Sequence, residues 1–492
     1  MQKAMAIASA SPSGKATVSG ATNATCRAAI VQAMQLEVHW MASGEMACLV
    51  ETTPSTSEAE IRAQVCDRIN VPVDEQRLFA EGHEIQQELK TLCAAAVPQI
   101  QLVRSQSDPR NTDLAHFSSQ LSKGGTLAAD LEQQLSPLEV GRFSKVRKVS
   151  QAIYGEVSHY RWSREDATVD VAVKSMPKEQ AETNVGRETN EWAAHLTRKN
   201  MPNPEDALIE IGVLAYLSKQ PDLPLFLLKS LAVFMHNSNL WVVTEFAEGG
   251  ELLDAALSGC LQRKDSRSYM WEILQAVKYL HSHQIGHRDI SLENLLLKGE
   301  HIRLMDFGAA VQSHSFCGQE LRYFQKVGKE TYRAPECYVP TGCSVQAVAV
   351  PPGAAAGDVI MYEAQSELLQ VRLPAEAKPG LTCQADLWGY AAQSADIFAC
   401  GVCFFCLCYG NAPWTRAQLS DAFFRFIHSS GDNGLQVLLE HWRKPLLEPE
   451  AMHLLLDMLR VDPTRRPSAV TCLQSSWLAP LVNAAVPRHA DA

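Results

Sequence analysis

The stretch His287-Arg288-Asp289-Ile290-Ser291-Leu292-Glu293-Asn294 decides the fold of most of this chain. It sets an acid, Asp289, five positions before an amide, Asn294. Twelve residues beyond Asn294 stands Asp306-Phe307-Gly308. A loop–strand–loop of that spacing can bring the three polar side chains to one point. The set supplies one carboxylate to face an acceptor hydroxyl and two oxygen ligands of the kind a hard divalent cation prefers.

Working outward, further stretches fall in a fixed order. Leu138-Glu139-Val140-Gly141-Arg142-Phe143-Ser144-Lys145-Val146 precedes the β-branched strand Val171-Ala172-Val173-Lys174. Glu210-Ile211-Gly212-Val213-Leu214 opens a helical pattern after the start signal Asn203-Pro204. The apolar strand Leu240-Trp241-Val242-Val243-Thr244-Glu245-Phe246-Ala247 runs into Glu248-Gly249-Gly250-Glu251. After the central stretch come Gly328-Lys329-Glu330-Thr331-Tyr332-Arg333-Ala334-Pro335-Glu336, then Asp396-Ile397-Phe398-Ala399-Cys400-Gly401, then Asp462-Pro463-Thr464-Arg465-Arg466-Pro467.

This ordered set resembles the eukaryotic protein kinases of serine/threonine type. The resemblance implies a bilobal α+β fold that binds ATP and Mg²⁺ and passes the γ-phosphate to protein serine or threonine hydroxyls. In that frame Asp289 is the catalytic base and orienter, and Asn294 and Asp306 hold Mg²⁺. Lys174 grips the α- and β-phosphates, with Glu210 as its carboxylate partner; Glu191 is the rival. Val140, Gly141, Val146, Ala172 and Leu296 line the nucleotide site. Thr244 is the gatekeeper, Glu245 and Ala247 offer backbone hydrogen bonds to adenine, and Glu251 sits near the ribose. Glu336 is expected to pair with Arg466, and Asp396 to accept backbone amides from the catalytic loop. Arg288 suggests control by phosphorylation, with Ser313, Ser315, Tyr323 and Thr331 available.

The chain departs from the family pattern at three places. Only the central glycine of the phosphate loop, Gly141, remains. The lysine usual two residues after the catalytic Asp is Ser291, and the threonine usual after the later glycine is Lys329. Charge compensation links the last two: Lys329 is expected to bring its ammonium to Asp289 and the γ-phosphate. The alternative for Lys329 is a solvated loop residue, and the alternative for the whole domain is a pseudokinase scaffold.

Residues 34–105 form a separate pattern. Met34-Gln35-Leu36-Glu37-Val38-His39 alternates like a half-buried strand, and Met46–Glu51 can pair with it across Ser43-Gly44. Ser57 can cap a helix with Ile61, Val65 and Ile69 at helical spacing, and short strands follow at 76–79 and 99–103. Met34-Gln35, Val71-Pro72 with Asp74-Glu75-Gln76-Arg77-Leu78, and Leu102-Val103-Arg104 resemble ubiquitin, which implies a β-grasp domain. Ser105-Gln106 replaces the di-glycine tail, so a fixed module is expected rather than a conjugated one. Met41, Phe79 and Val103 fall where ubiquitin carries its apolar contact patch, which points either to a ubiquitin-pathway or other protein partner there or to residues that only pack or sit exposed singly.

Sixty positions separate Glu336 from Asp396, far more than the family's usual connection. Within them Val348-Ala349-Val350-Pro351-Pro352-Gly353, ending at Gly357, is echoed 23 residues later by Val371-Arg372-Leu373-Pro374, ending at Gly380. A repeated strand–Pro–turn–Gly reads as a small β unit with a docking role or as a neutral surface insertion.

The expected organisation is a disordered tail over 1–33, the ubiquitin-like domain over 34–105 and a linker over 106–129. A kinase domain follows over 130–482 and a tail over 483–492. Its lobes are 130–247 and 248–482, with the β-rich insertion at 341–390. A net charge of −11 argues against nucleic acid or anionic membrane as partner. The longest apolar run, Ile397–Tyr409, is short for a membrane span. Fourteen scattered cysteines suit a reducing compartment, and those at 400, 403 and 406 read as buried thiols. The expected location is cytoplasmic, though the acid-free first 36 residues are also compatible with an organelle transit peptide.

Overall fold

Alternating side chains make Met34–Trp40 (β1) a strand that sends Leu36 and Val38 into a core and leaves Gln35 exposed. The computed structural model describes residues 34–40, 46–53, 56–69, 76–80, 83–84, 99–104, 141–152, 155–165, 167–178, 207–258, 263–314, 320–340, 345–481, 484 and 486–489. They divide into two units, Met1–Gln106 and Ser107–Ala492.

In the first unit β1 is joined by β2 (Met46–Thr52), β3 (Gln76–Ala80), β4 (His83–Glu84) and β5 (Gln99–Arg104) in the order β2-β1-β5-β3-β4. β1 and β5 run parallel and the other pairs antiparallel. Helix α1 (Glu58–Ile69) starts with a reciprocal cap: Glu60 N–H donates to Ser57 Oγ (3.3 Å), and Ser57 N–H donates to Glu60 Oε2 (2.7 Å). Its Ile61 and Val65 meet Leu36, Val38, Val50, Leu78, Ile100 and Leu102 in one small core. The expected hairpin turn at 43–44, Met41, and the side chains of Ile69, Phe79 and Val103 lie outside the described residues.

The second unit opens with an antiparallel sheet of β6 (Phe143–Ala152), β7 (Gly155–Ser163), β8 (Thr168–Pro177), β9 (Ser230–His236) and β10 (Asn239–Glu245), ordered β6-β7-β8-β10-β9. Helix α2 (Ala207–Ser218) is apolar on nearly every side and buries Ile211, Val213, Leu214 and Leu217. Beyond the strand β10 come α3 (Leu252–Leu257) and α4 (Arg263–Ser282). Small two-stranded ladders follow, of β11 (Ile285–Gly286) with β14 (Val311–Gln312) and of β12 (Leu295–Lys298) with β13 (His301–Leu304).

Helix α5 (Ala392–Tyr409) corrects the sequence reading of the 397–409 run. It has 18 residues and is long and apolar enough to cross a membrane, yet 78% of it is buried inside the fold, as befits a helix surrounded by neighbours. Its Cys400, Cys403 and Cys406 are buried and free, and burial raises their thiols, Cys406 to about 12. Among the described residues no group of three His, Cys, Asp or Glu could hold a metal.

Residues 345–387 form a four-stranded antiparallel sheet of β15 (Val345–Ala349), β16 (Val359–Ala364), β17 (Glu367–Arg372) and β18 (Thr382–Leu387), ordered β15-β18-β17-β16. The 23-residue echo is a structural symmetry. Val350 N–H donates to Leu381 O as Leu373 N–H donates to Asp358 O, both at 2.9 Å. Gly380 N–H donates to Val350 O (2.9 Å) as Gly357 N–H donates to Leu373 O (3.1 Å). Exchanging the two segments, 350 with 373, 358 with 381 and 357 with 380, turns each bond into its counterpart, and the two glycines share φ near +80° (+85 and +81). That left-handed backbone admits little but glycine.

A buried ion pair ties the segment after Gly328 to the late loops. Arg466 Nη2 donates to Glu336 Oε2 at 2.7 Å, and both side chains are fully buried. Glu336→Gln would leave the guanidinium without its counter-charge. The expected cost is about 3 kcal/mol, read as a lowered urea midpoint of the full chain; an unchanged midpoint would show that the pair contributes nothing net.

Candidate active site

Three elements converge on Asp289. Buried Asp396, on α5, accepts the N–H groups of His287 and Arg288 through its two carboxylate oxygens, each at 2.8 Å. His281 of α4 binds the same carboxylate at 3.0 Å. This fixes the loop two residues ahead of Asp289. Arg288 and Asp306 both have left-handed backbone, φ +64° and +65°, a strain that packing must hold.

The Asp289 carboxylate is clamped from both sides. Asn294 Nδ2 donates to Asp289 Oδ2 (2.7 Å) and to its backbone carbonyl (2.8 Å). Lys329 N–H donates to Oδ1 (2.9 Å), and Lys329 Nζ lies 3.1 Å from Oδ2 and 3.0 Å from Asn294 Oδ1. The charge expected from sequence therefore stands beside the carboxylate. Gly328 makes this approach feasible: its φ is +78°, and a Cβ there would lie 2.4 Å from the Arg288 carbonyl. Ser291 is fully buried, and its Oγ has no hydrogen-bond partner among the described residues.

Lys174 and Glu210 meet at 2.5 Å, which selects Glu210 from α2 as the partner; the rival Glu191 lies outside the described residues. Burial raises the Glu210 carboxyl above its usual range, Lys174 opposes that rise, and the negative Asp306 adds to it. Lys174, Glu210 and Asp306 are thus electrostatic neighbours. No described residue hydrogen-bonds to the Asp306 carboxylate, and the Asn294 amide oxygen keeps a second lone pair beside Lys329. Oxygen donors of this kind fit Mg²⁺.

The remaining expected nucleotide residues fall on the strands and loops around β8 and β10 and in the turn before β6 or beside β12. Thr244, buried on β10, pairs across the sheet with half-buried Ala172 on β8. Gly141 lies in the turn before β6, Val146 is exposed on β6, and Val140 lies outside the described residues. Leu296 is half-buried and bridges to Glu251, whose carboxyl burial raises, with Asp254 and Glu293 adding to the rise. Ala247 follows β10 in the loop leading to Gly249.

Glu245 is more constrained than its sequence reading implies. Its N–H is committed to the Lys229 carbonyl at 3.1 Å, so that group cannot also serve adenine. Its side chain joins Lys298 (2.7 Å) and Arg303 (3.1 Å), with His489 at 3.6 Å. Burial alone would raise this carboxyl, but Arg303 and then Lys298 hold it below its usual range. Sequence reading missed this cluster because its members lie up to 244 positions apart, with no motif to join them.

The comparisons with known proteins agree with the geometry. The family model described as protein kinase domain matches residues 143–347 and 388–478, more than half the chain. The chain belongs to the protein kinase family. The match breaks off and resumes around the β15–β18 sheet. The chain is 30% identical over 221 residues to serine/threonine-protein kinase SIK2 of Gallus gallus, covering 44% of this chain and 24% of that one. It is 26% identical over 246 residues to serine/threonine-protein kinase chk1 of Schizosaccharomyces pombe, covering 48% and 37%. It is 26% identical over 247 residues to CBL-interacting serine/threonine-protein kinase 26 of Arabidopsis thaliana, covering 50% and 43%. The matched region spans less than half the length of each of these three relatives.

A raised Glu210 has two opposite consequences. As pH falls through its raised pKa the carboxylate is neutralised and Lys174 loses its partner, so nucleotide affinity should weaken at a higher pH than an ordinary Glu, near 4.3, would set. The folded chain also holds this proton more tightly than the unfolded chain, so Glu210 favours folding at low pH and that contribution is lost as pH rises. Titration of ATP affinity by calorimetry should show the first effect, and Glu210→Gln should flatten it; a wild-type affinity constant down to about pH 5 would contradict it.

Proposed function

We propose that the chain is an ATP- and Mg²⁺-dependent protein kinase that transfers the γ-phosphate to serine or threonine hydroxyls of a protein substrate. The observation that carries this is the joint placement of Asp289, Asn294 and Lys329 within hydrogen-bond reach, together with a Lys174–Glu210 pair that has Asp306 as its electrostatic neighbour. Asp289 orients the acceptor hydroxyl and takes its proton late, so position matters more than basicity. Asn294 and Asp306 hold Mg²⁺, which neutralises phosphate charge when bound. Lys174 orients the α- and β-phosphates because Glu210 fixes its amine.

Lys329 supplies the cation that Ser291 lacks. An ammonium aimed at the transferring phosphoryl group stabilises charge that develops in the transition state. The pseudokinase reading rests on the single glycine of the phosphate loop and on Ser291. The position of Lys329 favours catalysis over it.

The first unit we read as a ubiquitin-like module, supported by its strand order, capped helix and small core. It would bind a protein partner and not be conjugated. A cytoplasmic location goes with this reading.

A radiolabelled-ATP assay on a protein substrate tests the activity. Asp289→Asn should abolish transfer while ATP still binds; equal transfer by wild type and variant would refute the assignment. Lys329→Thr should lower turnover by about 10²-fold or more, on the scale of losing one transition-state donor, with ATP affinity nearly unchanged. Turnover close to wild type would leave Lys329 a bystander.

A further inference from the structure

Arg288 is already held. Its Nε donates to the Ala309 carbonyl (2.7 Å), its Nη1 donates to the Tyr390 hydroxyl (3.1 Å), and its guanidinium lies 5.0 Å from the centre of the Tyr323 ring. Stacking on an aromatic face suits a planar guanidinium. The Tyr390 hydroxyl in turn donates to the Gln325 carbonyl at 2.7 Å. One buried hydroxyl thus joins the loop before Asp289 to the segment that leads into Gly328-Lys329.

The backbones are joined as well. Tyr323 and Tyr390 exchange N–H to carbonyl bonds, both at 2.9 Å. Gly389 allows that approach: its φ is +73°, and a Cβ there would lie 2.8 Å from the Phe324 ring and 2.9 Å from the Tyr323 carbonyl. Trp388, one residue earlier, donates its N–H to the Gln370 carbonyl of β17 at 3.0 Å. The tie therefore hangs from the end of the inserted sheet.

We propose that Tyr390 is a positioning residue that holds Arg288 and the 320–333 segment in the transfer-competent arrangement without a phosphate. The proposal rests on the kinase reading above. An arginine beside the catalytic Asp can be neutralised by a phosphate on the neighbouring segment, which orders that segment. Here two tyrosines and a backbone carbonyl occupy its fork. Two of the expected acceptors are themselves committed: Tyr323 is fully buried with its hydroxyl donating to the Gln312 carbonyl, and Ser313 is buried and bonded to Gln393. The ring of contacts closes on the reaction centre, since Lys329 follows Gln325 by four residues and holds Asp289 through both its N–H and its ammonium.

The test uses the full chain, freed of phosphate by phosphatase and checked by intact mass. Wild type should keep its kcat after this treatment. Tyr390→Phe, which removes only the hydroxyl, should lower kcat about tenfold or more, the effect of a lost buried hydrogen bond, and leave KM for ATP within about twofold. That split separates positioning from general destabilisation, which would move both. Gly389→Ala should act in the same direction by forcing the backbones apart. Hydrogen exchange of peptides covering 321–333 should quicken in both variants. A Tyr390→Phe kcat within twofold of wild type overturns the proposal. So does a wild type that phosphatase silences and rephosphorylation revives. If wild type transfers no phosphate at all, the kinase reading fails by itself; the tie then stands if exchange in 321–333 quickens in Tyr390→Phe and falls if it does not.

Discussion

The second unit depends on one buried carboxylate. Asp396 accepts two backbone N–H groups from the catalytic loop and binds His281, and so commits three groups that would otherwise be orphaned in the interior. An unpaired buried polar group costs about 1–3 kcal/mol, so the loop and α5 are favourable only together. α5 supplies the rigidity, being packed on nearly every side. Asp289 directly follows the anchored amides, and its position is therefore set by a helix that begins more than a hundred positions later.

Much of the site was legible in sequence because its chemistry uses fixed residue types at short spacing. Asp289, Asn294 and Asp306 lie on neighbouring loops of one chain stretch, and a motif can encode that. Glu210 over Glu191 was legible only through the helical pattern that begins at residue 210, and the 2.5 Å contact with Lys174 follows from the helix that pattern forms. The 23-residue echo gave the inserted sheet but not its symmetry, which lies in which amide meets which carbonyl. The commitment of the Glu245 N–H to Lys229 was invisible, because backbone pairing leaves no mark on side-chain identity. Tyr390 was missed for another reason: an isolated tyrosine after a strand is ordinary, and only its two hydrogen-bond partners distinguish it.

Ser291 and Lys329 show how one charge can be carried by different parts of a chain. At position 291 the side chain is fully buried on the catalytic loop, which Asp396 holds in place. A lysine there would keep its charge near Asp289 whatever the later segment did. At position 329 the charge rides on that later segment, whose path depends on the positive φ of Gly328 and on the contacts of Arg333 with the Val327 and Gly328 carbonyls.

This relocation couples two requirements that are separable when the lysine sits on the catalytic loop. Lys329 gives Asp289 both a backbone N–H and an ammonium, so any displacement of residues 326–330 removes a positioning bond and a positive charge at once. The penalty of a misplaced segment is therefore steeper, and its placement must be correspondingly firm. Firmness comes from contacts at both ends: the buried Glu336–Arg466 pair after the segment, and the Tyr323–Tyr390 bridge before it. The inserted sheet's last strand leads directly into that bridge, so the end of the sheet and the segment that carries the cation are joined through the Tyr323–Tyr390 backbone bonds.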